Sequence, residues 1–169
     1  RDFRHFCSHQ HTPNRPASSG FACGVRQGAV MYLAHPVFSL YRLFGQVALK
    51  DFVVKALRSF LGDRIGATSN LPSTARLTVM DQAADQRYIL HLLYANTIAR
   101  GGGHGGRSLE VVDELLPLHD SEVTLRLPRT VKGATLEPQG QPLPISASGD
   151  AITVKVDRFT CHQMVVLKY

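Results

Sequence analysis

Three histidines and a thiol lie close together near the start of the sequence. His5, Cys7, His9 and His11 occupy alternate positions, so an extended segment would place all four on one face. Imidazole and thiolate groups are ligands for zinc and copper. Structural zinc sites draw their ligands from two separated pairs, which this spacing lacks. The pattern therefore favours a polar loop whose histidines hydrogen-bond to backbone or substrate, and we expect no metal.

A glycine run at residues 101–108, GGGHGGRS, nearly matches the phosphate-binding motif GxxxxGK[ST],. Arg107 stands where that motif has lysine. The motif binds phosphate when it joins a buried strand to the N-terminus of a helix. Here the chain continues through Pro117 into segments that alternate like strands, so the run predicts a loop between strands, and we expect no cofactor.

Five acidic residues gather in the segment after the glycine run: Glu110, Asp113, Glu114, Asp120 and Glu122. A glycosidase needs two carboxylates held about 5 to 9 Å apart, and a sequence does not supply that separation. The first three lie among valines and leucines. The pattern therefore favours the solvent-exposed side of a half-buried element, and we assign no catalytic residue.

The apolar run at residues 28–34 predicts a buried strand that ends in His35-Pro36,. A strand ending in His-Pro before a long helix is similar to the end of class I glutamine amidotransferase domains, where the pattern is His-Pro-Glu. Val37 stands in the third position here, and valine cannot orient an imidazole for a cysteine nucleophile. The resemblance implies a flavodoxin-like fold without amidotransferase chemistry, with His35 as a structural residue.

A long helix is predicted after this strand. Apolar residues recur every three or four positions from Leu40 to Leu61, and Gly62 stands where a helix C-terminus favours glycine,. One strand and one helix cannot cover both faces of a parallel sheet. We therefore expect further units of such a sheet upstream, which agrees with a chain that begins at Arg1 rather than at methionine.

Strand-like alternation replaces helical periodicity after residues 62–73, where glycine, serine, asparagine and proline cluster,. Six or seven short apolar segments follow, separated by turn signals at Pro128, residues 138–140 and residues 148–150,. Such spacing predicts an antiparallel sandwich or small barrel. The predicted fold class is α+β: the remnant of a flavodoxin-like, amidotransferase-like α/β unit in residues 1–66, followed by a C-terminal antiparallel β-sandwich in residues 70–169.

Composition indicates an ordinary globular protein. The chain has 169 residues, of which 44% are hydrophobic and 19% charged, and its net charge is +6,. A basic balance is compatible with nucleic acid, but the charges are dispersed, which favours a moderately basic surface and no nucleic-acid partner. Three widely spaced cysteines, Cys7, Cys23 and Cys161, predict free thiols in a reducing, cytoplasmic compartment,. No apolar stretch is long enough for a membrane span,.

Short phrases along nearly the whole chain carry a family resemblance. They are SHQHTP at residues 8–13, VMYLAHP at 30–36, NLPS at 70–73, LHLL at 90–93, PLHD at 117–120 and HQMVV at 162–166. Together with the long helix they resemble the C-terminal part of bacterial glycoside hydrolases, of the beta-galactosidase and alpha-L-fucosidase-like kind, that carry a trimerisation domain. In those enzymes a catalytic barrel precedes an amidotransferase-like domain, and a β-sandwich closes the chain.

The resemblance implies a non-catalytic segment, since the barrel that would hold the catalytic carboxylates has no counterpart here. Its implied role is oligomerisation and structural support of a carbohydrate-hydrolysing enzyme. The implied partners are copies of itself, in an assembly such as a trimer, the upstream barrel, and the carbohydrate substrate of the parent enzyme. His9, His11 and Arg15 are the residues we expect to contact substrate or a neighbouring subunit.

Two other functions fit the sequence less closely. A carbohydrate-binding module is also a β-sandwich, but it needs exposed aromatic platforms, and the second half of the chain has no tryptophan. A nucleic-acid-binding protein is suggested by charge alone, and its binding would weaken steeply with salt.

Overall fold

The computed structural model describes residues 20–102 and 106–169. The described residues are mostly β, with 50% of them in strands and 20% in helices. It divides into two compact units, Arg1–Arg64 and Ile65–Tyr169. Within the described ranges no helix is both long enough and apolar enough to cross a membrane.

The described part of the first unit starts with an exposed hairpin. Strand β1 (Gly24–Gln27) pairs antiparallel with strand β2 (Val30–Leu33). Gly28 opens the two-residue loop between them with φ of 54°, and such loops favour a left-handed glycine at this place because it matches the twist of the two strands. Val30 and Tyr32 both point to solvent.

The predicted flavodoxin-like α/β unit is wrong. The run expected to be a buried parallel strand is β2, whose partner is the antiparallel β1, and in the described residues of this unit no α/β unit of that kind is present. A short apolar run does not reveal by periodicity whether both of its faces are covered, which is why the prediction failed. The fold class is therefore a β-rich one with a curled antiparallel sheet, not α+β.

Two helices follow the hairpin, where the sequence predicts one. They are α1 (Val37–Phe44) and α2 (Val47–Leu61). Gly45 ends α1 with φ of 61°, and its N–H donates to the Tyr41 carbonyl at 2.8 Å, which is a left-handed helix cap. Gly62 ends α2, as predicted, and a short 3-10 turn (Gly62–Arg64) follows.

The described residues of the second unit form ten strands. They are β3 (Ala67–Ser69), β4 (Arg76–Gln82), β5 (Arg87–Tyr94), β6 (Ile98–Gly101), β7 (Ser108–Val111), β8 (Pro117–Arg126), β9 (Gly133–Glu137), β10 (Gln141–Leu143), β11 (Ile145–Ser148) and β12 (Ala151–Lys168). Eight of them form one antiparallel sheet with the path β10-β9-β12-β5-β4, while β8 and β11 pair with β12 and β3 pairs with β8. Strands β6 and β7 form a separate hairpin.

Strand β12 belongs to both halves of the curled sheet. Its first part pairs with β8 and β11, and its last part, from Cys161 onward, pairs with β5 and β9. The sequence predicts separate strands near residues 152–156 and 164–167, but they are one strand that bends at Cys161, where φ is 64°. The curl gives the second unit the β-sandwich-like character that the sequence predicts.

The core lies between the two halves of this sheet. Its central side chains are almost fully buried: Leu90, Leu92, Val123, Leu125, Val154, Val156, Val165 and Leu167. They occupy alternate strand positions, because successive residues of a strand point to opposite faces. Each contributes about 1.5–3 kcal/mol by leaving water, so this layer stabilises the unit.

The Asn70 side chain extends the pairing on the β3 edge of β8. The Asn70 amide donates to the Asp120 carbonyl at 2.8 Å and accepts from the Glu122 N–H at 2.8 Å. These bonds continue the ladder between β3 and β8 just past Ser69, where β3 ends, and they hold β8 at Asp120, where φ is 50°. Lys155 pairs with Asp120 at 2.6 Å, and its hydrogen bond lowers the pKa of Asp120.

A polar cluster closes one end of the second unit. The Arg129 guanidinium donates to Asp81 and to the Tyr169 hydroxyl, both at 2.7 Å. The Tyr169 hydroxyl donates to the other Asp81 oxygen at 2.8 Å, and the Tyr169 ring lies 4.7 Å from that of Tyr88. The hydrogen bond from Tyr169, with a smaller contribution from Arg129, lowers the pKa of Asp81 below its usual 3.8.

We expect Asp81 to make the second unit sensitive to acid. A carboxyl whose pKa is lower in the folded state stabilises the fold above its unfolded value, and that contribution is lost as pH falls through the folded value. The loss should therefore begin near pH 3.8 and continue below it. Replacing Asp81 with asparagine should flatten this part of the pH profile of the free energy of unfolding, measured by urea titration. An unchanged profile would show that Asp81 does not carry the effect.

Candidate interaction surfaces

The first unit exposes much of its apolar surface. Among its described residues only Val37 and Val53 are buried hydrophobic side chains. The exposed ones are Phe21, Val25, Val30, Tyr32, Phe38, Tyr41, Leu43, Phe44, Val47, Val54, Leu57 and Leu61. We call this set the apolar surface of the first unit.

The apolar surface exposes more large hydrophobic side chains than the water-facing surface of a soluble protein normally does. Phe38, Leu43 and Phe44 of α1 are each about two-thirds exposed or more, at 67%, 73% and 66%. Soluble monomers rarely expose contiguous apolar patches above a few hundred Å². The helices have the periodicity of buried helices, but within residues 20–64 no further layer covers them. A surface of this kind is suited to packing against other protein.

Two arginines hold the end of α2. The Arg64 guanidinium donates to the Phe60 carbonyl at 2.9 Å, and Arg26 donates to the Ser59 carbonyl at 3.4 Å. Both guanidinium groups lie over the Phe60 ring, 5.3 and 5.5 Å from its centre. Cations at a helix C-terminus are stabilised by the carbonyls and the dipole there. These arginines therefore have a structural role and do not form an anion site.

The outer face of the second unit is the side of strands β4, β5, β12 and β9 opposite the core. Cross-strand pairing sets its residues in rows about 7 Å apart. One row holds Gln82, Arg87, Lys168 and Gly133; the next holds Met80, Ile89, Val166 and Thr135; the third holds Thr78, His91, Met164 and Glu137. A shallow groove of about 510 Å³ runs across these rows. From the first row to the third, the side chains that line the groove change from cationic to apolar to mixed polar.

A pair of histidines borders this groove. Nδ1 of His91 and Nε2 of His162 are 3.0 Å apart, and the ring planes differ by only 17°. The ring centres lie 5.3 Å apart. This distance exceeds the separation of the two nitrogens by about one ring diameter, as expected when the rings lie side by side. The rings therefore meet edge to edge, joined by an N–H···N hydrogen bond, rather than face to face. This bond links β5 to β12 on the outer face.

The hairpin of β6 and β7 leads into an exposed segment with acidic and apolar residues. Arg100 of β6 forms an ion pair with Asp113. Beyond it, Glu110 and Glu114 are exposed. The apolar residues Leu109, Val112, Leu115 and Leu116 are also exposed, each to 45% or more. We call residues 109–116 the acidic segment.

The residues predicted to touch substrate or a neighbouring subunit are not among those described. His9, His11 and Arg15, together with His5 and Cys7, fall in residues 1–19, which the structure does not describe. Their roles stay predictions. His35 is exposed just after β2. Within residues 20–102 and 106–169, no three His, Cys, Asp or Glu side chains come together as a metal site would need.

The acidic residues considered for glycosidase chemistry are dispersed over exposed elements. Asp113 is paired with Arg100 and Asp120 with Lys155, while Glu122 lies exposed on β8. The groove on the outer face contains a different carboxylate, Glu137, and a pair is needed for that chemistry. The glycine run connects β6 to β7, so it lies between two strands and not before a helix.

Sequence reasoning missed the contact between His91 and His162 and the rows of the outer face. Both depend on the register between β5 and β12, which sets residues 71 positions apart side by side. The alternation within each strand marks which residues share a face. It does not say which strand lies next to which.

The described residues thus define a mostly β, sandwich-like fold with an exposed apolar surface on the first unit and a shallow groove on the outer face of the second. This fold is related to that of glycoside hydrolases. The chain is similar to a solved structure, alpha-L-fucosidase isoenzyme 2 from Paenibacillus thiaminolyticus, with a TM-score of 0.87 and 39% sequence identity. The match covers 98% of this chain and 24% of that chain, so the chain spans about a quarter of that protein's length. No protein-family model and no curated protein matches the sequence.

Proposed function

We propose that the chain is a non-catalytic segment of a glycoside hydrolase of the alpha-L-fucosidase kind, and that it supports and oligomerises that enzyme. The observation that carries this proposal is the apolar surface of the first unit. The likeness to an alpha-L-fucosidase about four times as long supports it, because the same fold is there joined to much more protein. That additional protein is the natural partner for the apolar side chains that the described residues of the first unit expose,.

The C-terminal position of the segment and its place after a catalytic barrel are parts of the same proposal. So is its assembly with copies of itself, for which a trimer is the arrangement suggested by the family resemblance. A supporting role needs no catalytic pair of its own, and the dispersed, ion-paired carboxylates of the described residues agree with that.

A carbohydrate-binding module is less well supported. Such modules bind sugar rings on exposed aromatic side chains. The aromatic residues of the second unit are Tyr88 and Phe159, which are buried, and Tyr94 and Tyr169, which are half-buried. Tyr169 is moreover engaged with Asp81 and Arg129. No specific contact on the outer face favours this alternative.

Removing apolar side chains from α1 is expected to reduce the self-association of the chain and its binding of hydrophobic dyes. Replacing Leu43 and Phe44 together with serine should lower the fluorescence of a dye that binds apolar surface, and should reduce self-association measured by light scattering over a concentration series. Both side chains already face water, so the helix should remain intact by circular dichroism.

The control replaces with serine two exposed polar residues, Arg42 of α1 and Lys55 of α2. This variant should leave dye binding and self-association unchanged. Equal effects of both double variants would count against the apolar surface as the docking site. Hydrolysis of an aryl α-L-fucoside by the purified chain, lost when Glu122 is changed to glutamine, would contradict the non-catalytic role.

A further inference from the structure

The cationic row of the outer face has an uncompensated charge. Lys168 lies directly across from Arg87 on the neighbouring strand, and like charges in such a pair repel. Arg87 is held on its other side by Gln82 at 2.6 Å and by Asp85 at 3.1 Å. In the described part of the chain, the Lys168 ammonium has neither a hydrogen bond nor an ion pair. A carboxylate placed beside Lys168 would relieve the repulsion.

There is space for such a carboxylate. The other neighbour of Lys168 in its row is Gly133, where even a Cβ atom would meet nothing within 4 Å. The next row supplies an apolar floor, formed by Ile89 and Val166, which are each 5% exposed. The half-exposed Met80 lies beside Ile89 on the neighbouring strand. The groove therefore fits a protein segment that carries an acidic side chain next to apolar ones.

The acidic segment of the same chain has this complementary composition. Asp113 is neutralised by Arg100, whereas Glu110 and Glu114 have no ion pair among the described residues. Val112, Leu115 and Leu116 stand beside them, each exposed to about half. The acidic segment and the groove both belong to the second unit, and both are exposed there. The segment of one copy therefore does not fill the groove of the same copy.

We propose that the groove on the outer face binds the acidic segment of a second copy of this chain, with Glu114 beside Lys168 and the leucines on the apolar floor. This inference rests on the oligomerising part of the proposed function and names its contact. Each copy carries one groove and one segment. Reciprocal exchange closes a twofold dimer, and head-to-tail exchange closes a ring.

Charge reversal on either side of the contact tests the proposal on the full chain. Lys168→Glu gives an acidic groove facing an acidic segment, and Glu114→Lys gives a basic segment facing a basic groove. Each variant alone should raise the dissociation constant of self-association about tenfold or more, measured by sedimentation velocity. Self-association of the unmodified chain should weaken as salt is added, since the contact depends on exposed charges.

A mixture of the two variants gives the decisive result. Its grooves and segments are complementary across copies, so the mixture should associate more tightly than either variant alone. Arg158→Glu reverses an exposed charge on the β8-facing part of β12 and should leave self-association unchanged. Glu114 lies in an irregular, exposed segment, so its variant keeps the test valid even if Lys168→Glu disturbs β12.

Three outcomes would overturn the inference. A chain that stays monomeric at all concentrations has no such contact. Self-association that is unaffected by both reversals, but lost when Leu43 and Phe44 are changed, would place the contact on the apolar surface and leave the proposed function standing. Loss of association in each variant without recovery in the mixture would show that Lys168 and Glu114 do not face each other in the contact between copies.

Discussion

Replacing Leu92 with alanine is expected to lower the free energy of unfolding of the second unit by about 3 kcal/mol, within the range of 2–5 kcal/mol seen for buried leucines. Leu92 is 0% exposed and lies in the core between the two halves of the sheet. The strands around it are paired on both sides, so they cannot move inward to fill the cavity. Urea unfolding followed by far-UV circular dichroism measures the loss.

The adjacent residue provides the control. Leu93 has the same chemistry in the same strand, but it points to the outer face and is 40% exposed. Its replacement by alanine should cost less than about 1 kcal/mol, since little apolar surface leaves a packed environment. Equal losses of unfolding free energy for the two variants would mean that the core does not lie on the face of β5 that carries Leu92.

Replacing Gln163 with glutamate is expected to have a comparable or larger effect. Gln163 is 6% exposed, and its amide nitrogen donates to the Glu137 carbonyl at 2.9 Å and lies 3.2 Å from the side-chain oxygen of Gln139. A carboxylate there has no proton to donate and sets a negative charge against these oxygens. An uncompensated buried charge costs about 3–5 kcal/mol.

The pH dependence of the free energy of unfolding shows whether the loss in this variant comes from the buried charge or from a change in side-chain shape. A buried carboxyl is favoured in its neutral form, which raises its folded pKa. The deficit relative to the unmodified chain should therefore shrink as pH falls towards the usual pKa of a glutamate, near about 4.3. Thr160→Glu, at an exposed position of the same strand, should cost little at any pH. A deficit independent of pH would indicate a steric cause.

Local patterns predict the second unit better than the first. Alternation with polar residues marks Val123 and Leu125 of β8 and Val154 and Val156 of β12, and all four are buried in the core. The turn signals separate most of the strands. The absence of glycine and proline in residues 151–169 is consistent with a single strand β12, although its apolar alternation is interrupted at the bend. The bend at Cys161 depends on which strands flank β12, and that is a long-range property.

The fold of the first unit was predicted wrongly because local sequence does not show which other elements pack against its apolar faces. Val30 and Leu33 have the composition of a buried strand, and Phe38 and Leu43 have the spacing of a buried helix face. Sequence periodicity reports which face is apolar, not whether another layer lies on it. The charge complementarity between Lys168 and Glu114 is equally invisible in the sequence, since it depends on exposure and on the register of β12 with β5.

The position of β12 in the sheet has a consequence for the order in which this protein is made. Its direct partners β5, β8, β9 and β11 all precede β12 in the chain. During synthesis they emerge from the ribosome before the strand that joins them, and their edges stay unpaired until it arrives. Contacts between distant parts of a chain form slowly, and unpaired strand edges can pair with other chains. The nascent second unit is therefore a natural client for chaperones until residues 151–168 are released.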